Sequence, residues 1–481
     1  MTLLNFCGWE LGAWSRFTGD QEENWAGGGI EISSVIKRTG NYSLKVRPAG
    51  GATGYVNMAK HNNEGYTTGL NIATAYARVY IYIESLPASA SEEILQVQHA
   101  AGLKFALRIT SASKLQAYDN TGTNQLGSDG ATTLALNTWH KLNIKAATGV
   151  SAAYEIKING VVELSGTGDL TANNANVITL GLNTNRNGQN YVIYYDDFAV
   201  ADDDYPADGG VLYLPANADG TYTTWIIGGG SGDKWEQLDE IPYDTSTFLV
   251  STMVIGEAYT AELTDTATLG ITGVINAVKP LIAINRYGGY FSSLRLRIRS
   301  GGTDYDLDTY STGTYLRILA RVDAVDPATS IAWTLGGLDT LEVGAVEQAS
   351  NFYRRTIMTL AGAMVDVADP APTGNIYTYA VEWEDGGTLL GSGQPLAGDR
   401  SAYDVINYDT LHAADIAAES LKRHLPAPGT AGNIAQDDGV QWISVDPATI
   451  EGLGFDPDTI LTDEDGDVLV DDNGNVMVDD A

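Results

Sequence analysis

The chain has 481 residues, 61 of them acidic and 27 basic, for a formal net charge of −34. At roughly 100–200 residues per domain the length predicts several domains with sizeable cores. So acidic a surface repels phosphate backbones and anionic lipid, which excludes general nucleic-acid or membrane binding.

Hydrophobic residues at 44% exclude a disordered chain, and 54 glycines with 26 tyrosines favour short strands and tight turns over helix bundles. A single cysteine, Cys7, leaves no intrachain disulfide and suggests assembly in a reducing compartment. The opening MTLLNFCGWELGAWSRF has no basic stretch ahead of an apolar core, so no signal peptide is expected. No apolar run approaches the ~18 residues of a membrane span.

In chain order, the first clear strand is Ala77–Glu84. Val79, Ile81 and Ile83 alternate with Arg78, Tyr80, Tyr82 and Glu84. LKFALRITS around Phe105, WHKLNIKA from Trp139 and VIYYDDFAVAD around Asp197 repeat the pattern, and YEIKINGVVEL carries the hairpin signal Asn159-Gly160. Many strands at about ten-residue spacing predict a β-sandwich over residues 1–204. The acidic, glycine-rich run from Asp202 to Gly210 predicts a linker.

A second β-sandwich is predicted over 211–367. If Gly301-Gly302 form a two-residue turn in LRLRIRSGGTDYDLDT, Arg299 faces Asp304, Arg297 faces Asp306 and Arg295 faces Asp308. Ile298 then meets Tyr305 and Leu296 meets Leu307 on the other face.

Residues 371–481 differ in character. IYTYAVEW and TLLGSG flank Asp385-Gly386-Gly387 as another hairpin. A helix is predicted over 409–425, with Leu411, Ala414, Ala418, Leu421 and Leu425 as an apolar seam. So narrow a stripe needs a partner, either its own β-domain or copies of itself. Residues 455–478 hold an octapeptide repeat of acidic glycine turns and three-residue apolar strands, too short to hold themselves. Within it Asp463, Asp465 and Asp467 suit Ca2+, although solvated glycine turns explain the pattern without a metal.

There is no HExxH, GxSxG, P-loop or CxxC, and the five histidines are scattered. No strand shows the alternating acids that would line a glycosidase cleft, so the reading is that the protein is not an enzyme. Trp9, Trp14, Trp25, Tyr55, Tyr66, Tyr80, Tyr82 and Tyr118 crowd the first domain. Of these, Trp9, Trp14, Trp25, Tyr80 and Tyr82 are the candidates for stacking on sugar rings, and the alternative is that they fill the sandwich and its margins.

Residues 1–204 resemble a concanavalin A-like jelly roll of the laminin-G/legume-lectin type, through GNYSLKV at 40–46, NTWHKLNIK at 137–145, the YEIKINGVVEL hairpin and YYDDFAV at 194–200. In that family an acid near the first strand and an Asp of the closing strand often hold a structural Ca2+. The resemblance therefore implies Glu10 with Asp196 or Asp197. Residues 211–367 resemble the second sandwich that follows such a domain in tailed-bacteriophage structural proteins.

The fold expectation is thus mainly β, with tandem β-sandwiches, the first a concanavalin A-like jelly roll, and a small C-terminal region of one helix and a short acidic β-repeat. The functional expectation is a non-enzymatic structural protein of a bacteriophage particle: a fibre, tail component or capsid decoration. It would be a homo-oligomer, with a trimer guessed. Its terminal region would anchor it to other virion proteins after assembly in host cytoplasm. The alternative is a glycan-binding adhesion protein for host-surface polysaccharide, and the third reading is a polysaccharide-degrading enzyme.

Overall fold

The computed structural model describes most of residues 3–368, apart from 13–28, 49–53, 59, 62–66, 69, 100–101, 183–189, 253, 288–292, 312–316 and 350–354. Beyond them it describes only 384–385, 388–389, 434–437 and 440–443. The described chain is mainly β, built as two successive sandwiches.

The first sandwich has an eight-stranded sheet in the order Val161–Gly168, Ala152–Ile158, Trp139–Ala147, Thr74–Ser85, Val192–Ala201, Ser43–Val46, Ile30–Ser33, with Leu3–Cys7 also paired to Val192–Ala201. Its five-stranded partner runs Leu115–Tyr118, Gly102–Ile109, Glu92–His99, Val177–Leu182, Gly54–Met58. Neighbours distant in sequence are the mark of a jelly-roll type of winding. The period of two decides the layering, because Ala75, Ala77, Val79, Ile81 and Ile83 meet Leu95, Val97, Phe105 and Leu107 in one buried core. Burying each large aliphatic side chain contributes about 1.5–3 kcal/mol. Asn159 and Gly160, at φ 50° and 87°, turn the expected hairpin between Ala152–Ile158 and Val161–Gly168.

The Glu92–His99 strand is bulged between Glu93 and Leu95. A bulge takes carbonyls out of the ladder, and two buried phenols, one in the Val192–Ala201 strand and one just before it, meet them. Tyr191 donates to the Glu93 carbonyl at 2.8 Å and Tyr195 to the Ile94 carbonyl at 2.7 Å.

In the second sandwich the 15-residue strand Gly209–Thr223 serves both layers. Gly209–Pro215 pairs with Arg355–Ala368, and Ala216–Thr223 pairs with Ala258–Leu263. Trp225, Tyr259, Leu294, Leu296, Ile298, Met358 and Val365 fill the space between the layers. The Ser293–Ser300 and Thr303–Ser311 hairpin sets Arg299 opposite Asp304, Ile298 opposite Tyr305 and Arg297 opposite Asp306, as expected. The third pair is corrected. The register shifts between Arg295 and Arg297, so Arg295 faces Thr309 rather than Asp308.

A third apolar cluster joins the sandwiches. Leu3, Phe6, Ala199 and Val211 pack with Ala277, Leu281, Leu360 and Met364. The acidic run 202–204 is exposed, and a new strand begins at Gly209.

In the C-terminal unit, Glu384–Asp385 pairs with Thr388–Leu389, and Ile434–Asp437 with Val440–Ile443. The expected helix 409–425 with Leu411, Ala414, Ala418, Leu421 and Leu425 lies outside the described residues. So does the octapeptide repeat with Asp463, Asp465 and Asp467.

Candidate functional site

Strand register places polar side chains side by side on the outer face of the five-stranded sheet. Glu93 pairs with Arg108 and Arg108 with Gln116, while Gln96 pairs with Ala106 and Ala106 with Tyr118. Their neighbours in sequence, among them Leu95, Val97, Leu107 and Ala117, turn inward to the core. The alternation that builds the hydrophobic layer therefore builds this polar row as well.

The row is bonded almost end to end. Gln98 Nε2 donates to Gln96 Oε1 at 2.6 Å, and Gln96 Nε2 donates to Glu93. Arg108 donates one Nη2 hydrogen bond to the Gly122 carbonyl at 2.5 Å and lies 3.4 Å from Glu93 Oε1. Its guanidinium stacks 3.7 Å above the Tyr118 ring. Tyr118 donates to Gln116 Oε1 at 3.1 Å, and Gln116 Nε2 donates to Asp129 at 2.7 Å, where Gln125 Nε2 also donates.

Glu93 and Gln96 are enclosed, whereas Gln98, His99 and Gln116 are half-buried and form the accessible margin. The Nε of Arg108 is buried without a hydrogen-bond partner. A guanidinium is costly to leave incompletely satisfied away from water, so this N–H is a donor in reserve.

None of Gln96, Gln98, Arg108 or Gln116 was expected from sequence. A search for alternating acids passes over an E-x-x-Q-x-Q strand, where neutral amides take the outward positions. The legible signal was the same two-residue period that marks the core.

The expected aromatic platform is placed differently. Trp9 is 7% exposed, Tyr80 7% and Tyr82 6%. Arg38 covers the Tyr80 ring at 3.6 Å, and Tyr82 lies against Trp139 and Tyr194, with ring centres 5.5 and 5.7 Å away. Tyr80 and Tyr82 thus act as packing on the outer face of the eight-stranded sheet. Trp14 and Trp25 lie outside the described residues.

The expected acids do converge. Glu10, Asp196 and Asp197 are all essentially buried around the 38–42 turn. Glu10 accepts from Asn41 N at 2.7 Å and Tyr42 N at 3.4 Å, and Asp196 accepts from Arg38 N and Asp197 N at 2.8 Å each. Asp197 is committed elsewhere, to Arg38 Nη1 at 2.7 Å, Thr39 Oγ1 at 2.5 Å and Val211 N at 2.6 Å.

Burial, chiefly, and then the neighbouring acids push Asp196 well above the usual carboxylate range. Burial does the same to Glu10, against its two backbone donors. Among the described residues no three His, Cys, Asp or Glu side chains form a ligand set for one metal ion. Each oxygen of Glu10 and Asp196 already accepts a backbone N–H, and these two buried carboxylates are the oxygen ligand type that suits a hard cation.

No family model and no curated protein sequence matches the chain. Solved structures do resemble it. A cellulose-induced protein, Cip1, shares 13% identity over 41% of this chain and 97% of its own, with a TM-score of 0.31. The alginate lyase AlgAT5, from Polysaccharide Lyase family 7, shares 12% over 39% and 99%, at 0.28. A Trypanosoma rangeli sialidase mutant displaying trans-sialidase activity shares 10% over 36% of this chain, which spans only 27% of the sialidase, at 0.27. These findings correct the functional expectation. These three structures are named as two carbohydrate enzymes and a cellulose-induced protein. Both the virion assignment and the exclusion of enzymatic activity are therefore withdrawn.

Proposed function

We propose that the first sandwich binds a polysaccharide along the outer face of its five-stranded sheet, with the half-buried Gln98 and Gln116 as the contact residues and the enclosed Gln96, Arg108 and Tyr118 as the row that positions them. The observation that carries this reading is the continuous amide, guanidinium and phenol chain from Gln98 to Asp129. Amides both donate and accept, so they exchange readily for sugar hydroxyls, and the chain enters from the half-buried side at Gln98 and Gln116. Among the described residues of the row, Glu93 and Asp129 outnumber Arg108, which with the −34 net charge favours a neutral polysaccharide over a polyanion. A structural Ca2+ held by Glu10 and Asp196 is the second element of the proposal. It would neutralise buried charge at the 38–42 turn and take no part in binding the sugar.

A panel of neutral and acidic polysaccharides, assayed by affinity electrophoresis and for release of new chain ends, tests the reading. Retardation by a neutral polysaccharide that is lost in Gln96→Ala and Arg108→Ala supports it, and chain-end release by the same protein adds turnover to binding. Absence of retardation across the panel removes the proposal.

A further inference from the structure

Glu347 lies in the second sandwich, on the Glu342–Ala349 strand. Leu294, Leu296 and Ile298 pair with Glu347, Ala345 and Val343 and face the core, so the same register turns the Glu347 carboxyl inward. The side chain is fully buried, and its carboxyl oxygens lack a well-formed hydrogen bond, the Ser251 hydroxyl being the donor beside them. A buried carboxylate with no cation to pair it is among the costliest groups a core can hold, and proton uptake removes most of that cost.

The surroundings offer little to offset the charge. On its own strand Glu342 is held at the far end by Thr221 and Thr260. The neighbouring Ser293–Ser300 strand sets Leu294 opposite Glu347, with Arg295 opposite Val346 and hence on the other face. The Ala258–Leu263 strand carries Tyr259, whose phenol donates to Asp219 at 2.8 Å. Ser251, and Glu257 of the 254–257 turn, lie on one side, and the Arg355–Ala368 strand contributes Thr356 and Met358, both buried. The Arg286 and Arg355 side chains lie outside the described residues.

This end of the sandwich closes through a few bonds. Ser251 N donates to the Thr356 carbonyl, and Thr356 N donates to Ser251 Oγ, both at 3.0 Å. Glu347 N donates to the Glu257 carbonyl at 3.0 Å, and Gly256 N donates to the Glu347 carbonyl at 2.9 Å.

We propose that Glu347 is a proton-operated latch: protonated, it lets Ser251, the 254–257 turn and the start of the Arg355–Ala368 strand close on the core, and proton release loosens that end. Burial pushes the Glu347 carboxyl up to about 7, against the Ser251 hydroxyl, which lowers it. An acid raised in the folded state holds its proton there after the unfolded chain has lost it. The stabilisation is therefore full below the unfolded value and declines as pH rises towards about 7.

Urea unfolding of the full chain between pH 5 and 9, with amide exchange followed at Ser251, Gly256, Glu347 and Thr356, tests this. Wild type should lose roughly 100-fold in the folding equilibrium of the second sandwich across that range, with those four amides opening first. Glu347→Gln and Glu347→Leu should each flatten the pH response. If one variant fails to fold, the other and the wild-type exchange pattern still decide. A wild-type pH slope retained in the folded variant, or four amides indifferent to pH, overturns the proposal.

Discussion

Arg78 of the first sandwich and Asp366 of the second form an ion pair 2.8 Å long with both side chains at 0% exposure. Arg78 also donates to the carbonyls of Ala207 and, at 3.1 Å, Asp197. Burial pushes the Asp366 carboxyl above its usual range even though the guanidinium opposes it, which measures how far from water the pair lies. Arg78→Ala or Asp366→Ala alone should destabilise the two-sandwich unit by about 3–5 kcal/mol, because each leaves an uncompensated buried charge. Arg78→Met with Asp366→Leu should cost much less than the sum of the single changes. A double-mutant cycle by urea unfolding measures this.

In the polar row, Arg108→Ala removes the link between Glu93 and Tyr118. Polysaccharide affinity should fall at least tenfold, in line with the loss of about 1.5–3 kcal/mol for a hydrogen bond to a charged group. Gln98→Ala, at the margin, should weaken binding while leaving the melting temperature within a degree or two. Isothermal titration beside thermal melts separates the two effects.

At the 38–42 turn, added Ca2+ should raise the melting temperature and EDTA should lower it, with both effects lost in Glu10→Gln. Gly40 sits at φ +59°, and a Cβ there would fall 2.3 Å from the Glu10 carboxyl. Gly40→Ala should therefore cost about 2–4 kcal/mol, from backbone strain and crowding together. Calorimetry with and without Ca2+ checks both expectations.

On the hairpin of the second sandwich, Arg297 bonds Asp306 through two nitrogens, at 2.6 and 2.9 Å. Arg297→Asp should cost about 1 kcal/mol by setting like charges opposite each other, and adding Asp306→Arg should recover most of it. No recovery in the double variant would show that the pair does not hold register.

Much of the fold was legible in local pattern. Val79, Ile81 and Ile83 announced their inward face, Asn159-Gly160 its turn, and Arg299 and Arg297 their partners. Arg295 escaped because a bulge is set by how two strands twist against a third, which no single strand records. Tyr80 and Tyr82 read as sugar-facing rings because alternation says which residues leave the core but not what then covers them. Arg38, Trp139 and Tyr194 covered them.

The amino-acid sequence by itself determined that this chain is built of alternating strands in successive sandwiches, since a period of two is a property of each strand alone; Glu10 with Asp196 or Asp197 came only from the resemblance to concanavalin A-like jelly rolls. Only the tertiary structure decided that Asp197 holds Arg38 and Val211, that Arg78 is spent on Asp366, and that Gln96, Arg108 and Tyr118 form one row. Those facts depend on which strands become neighbours across long separations in the chain, and hydrogen-bond register between distant strands is settled only when the layers pack.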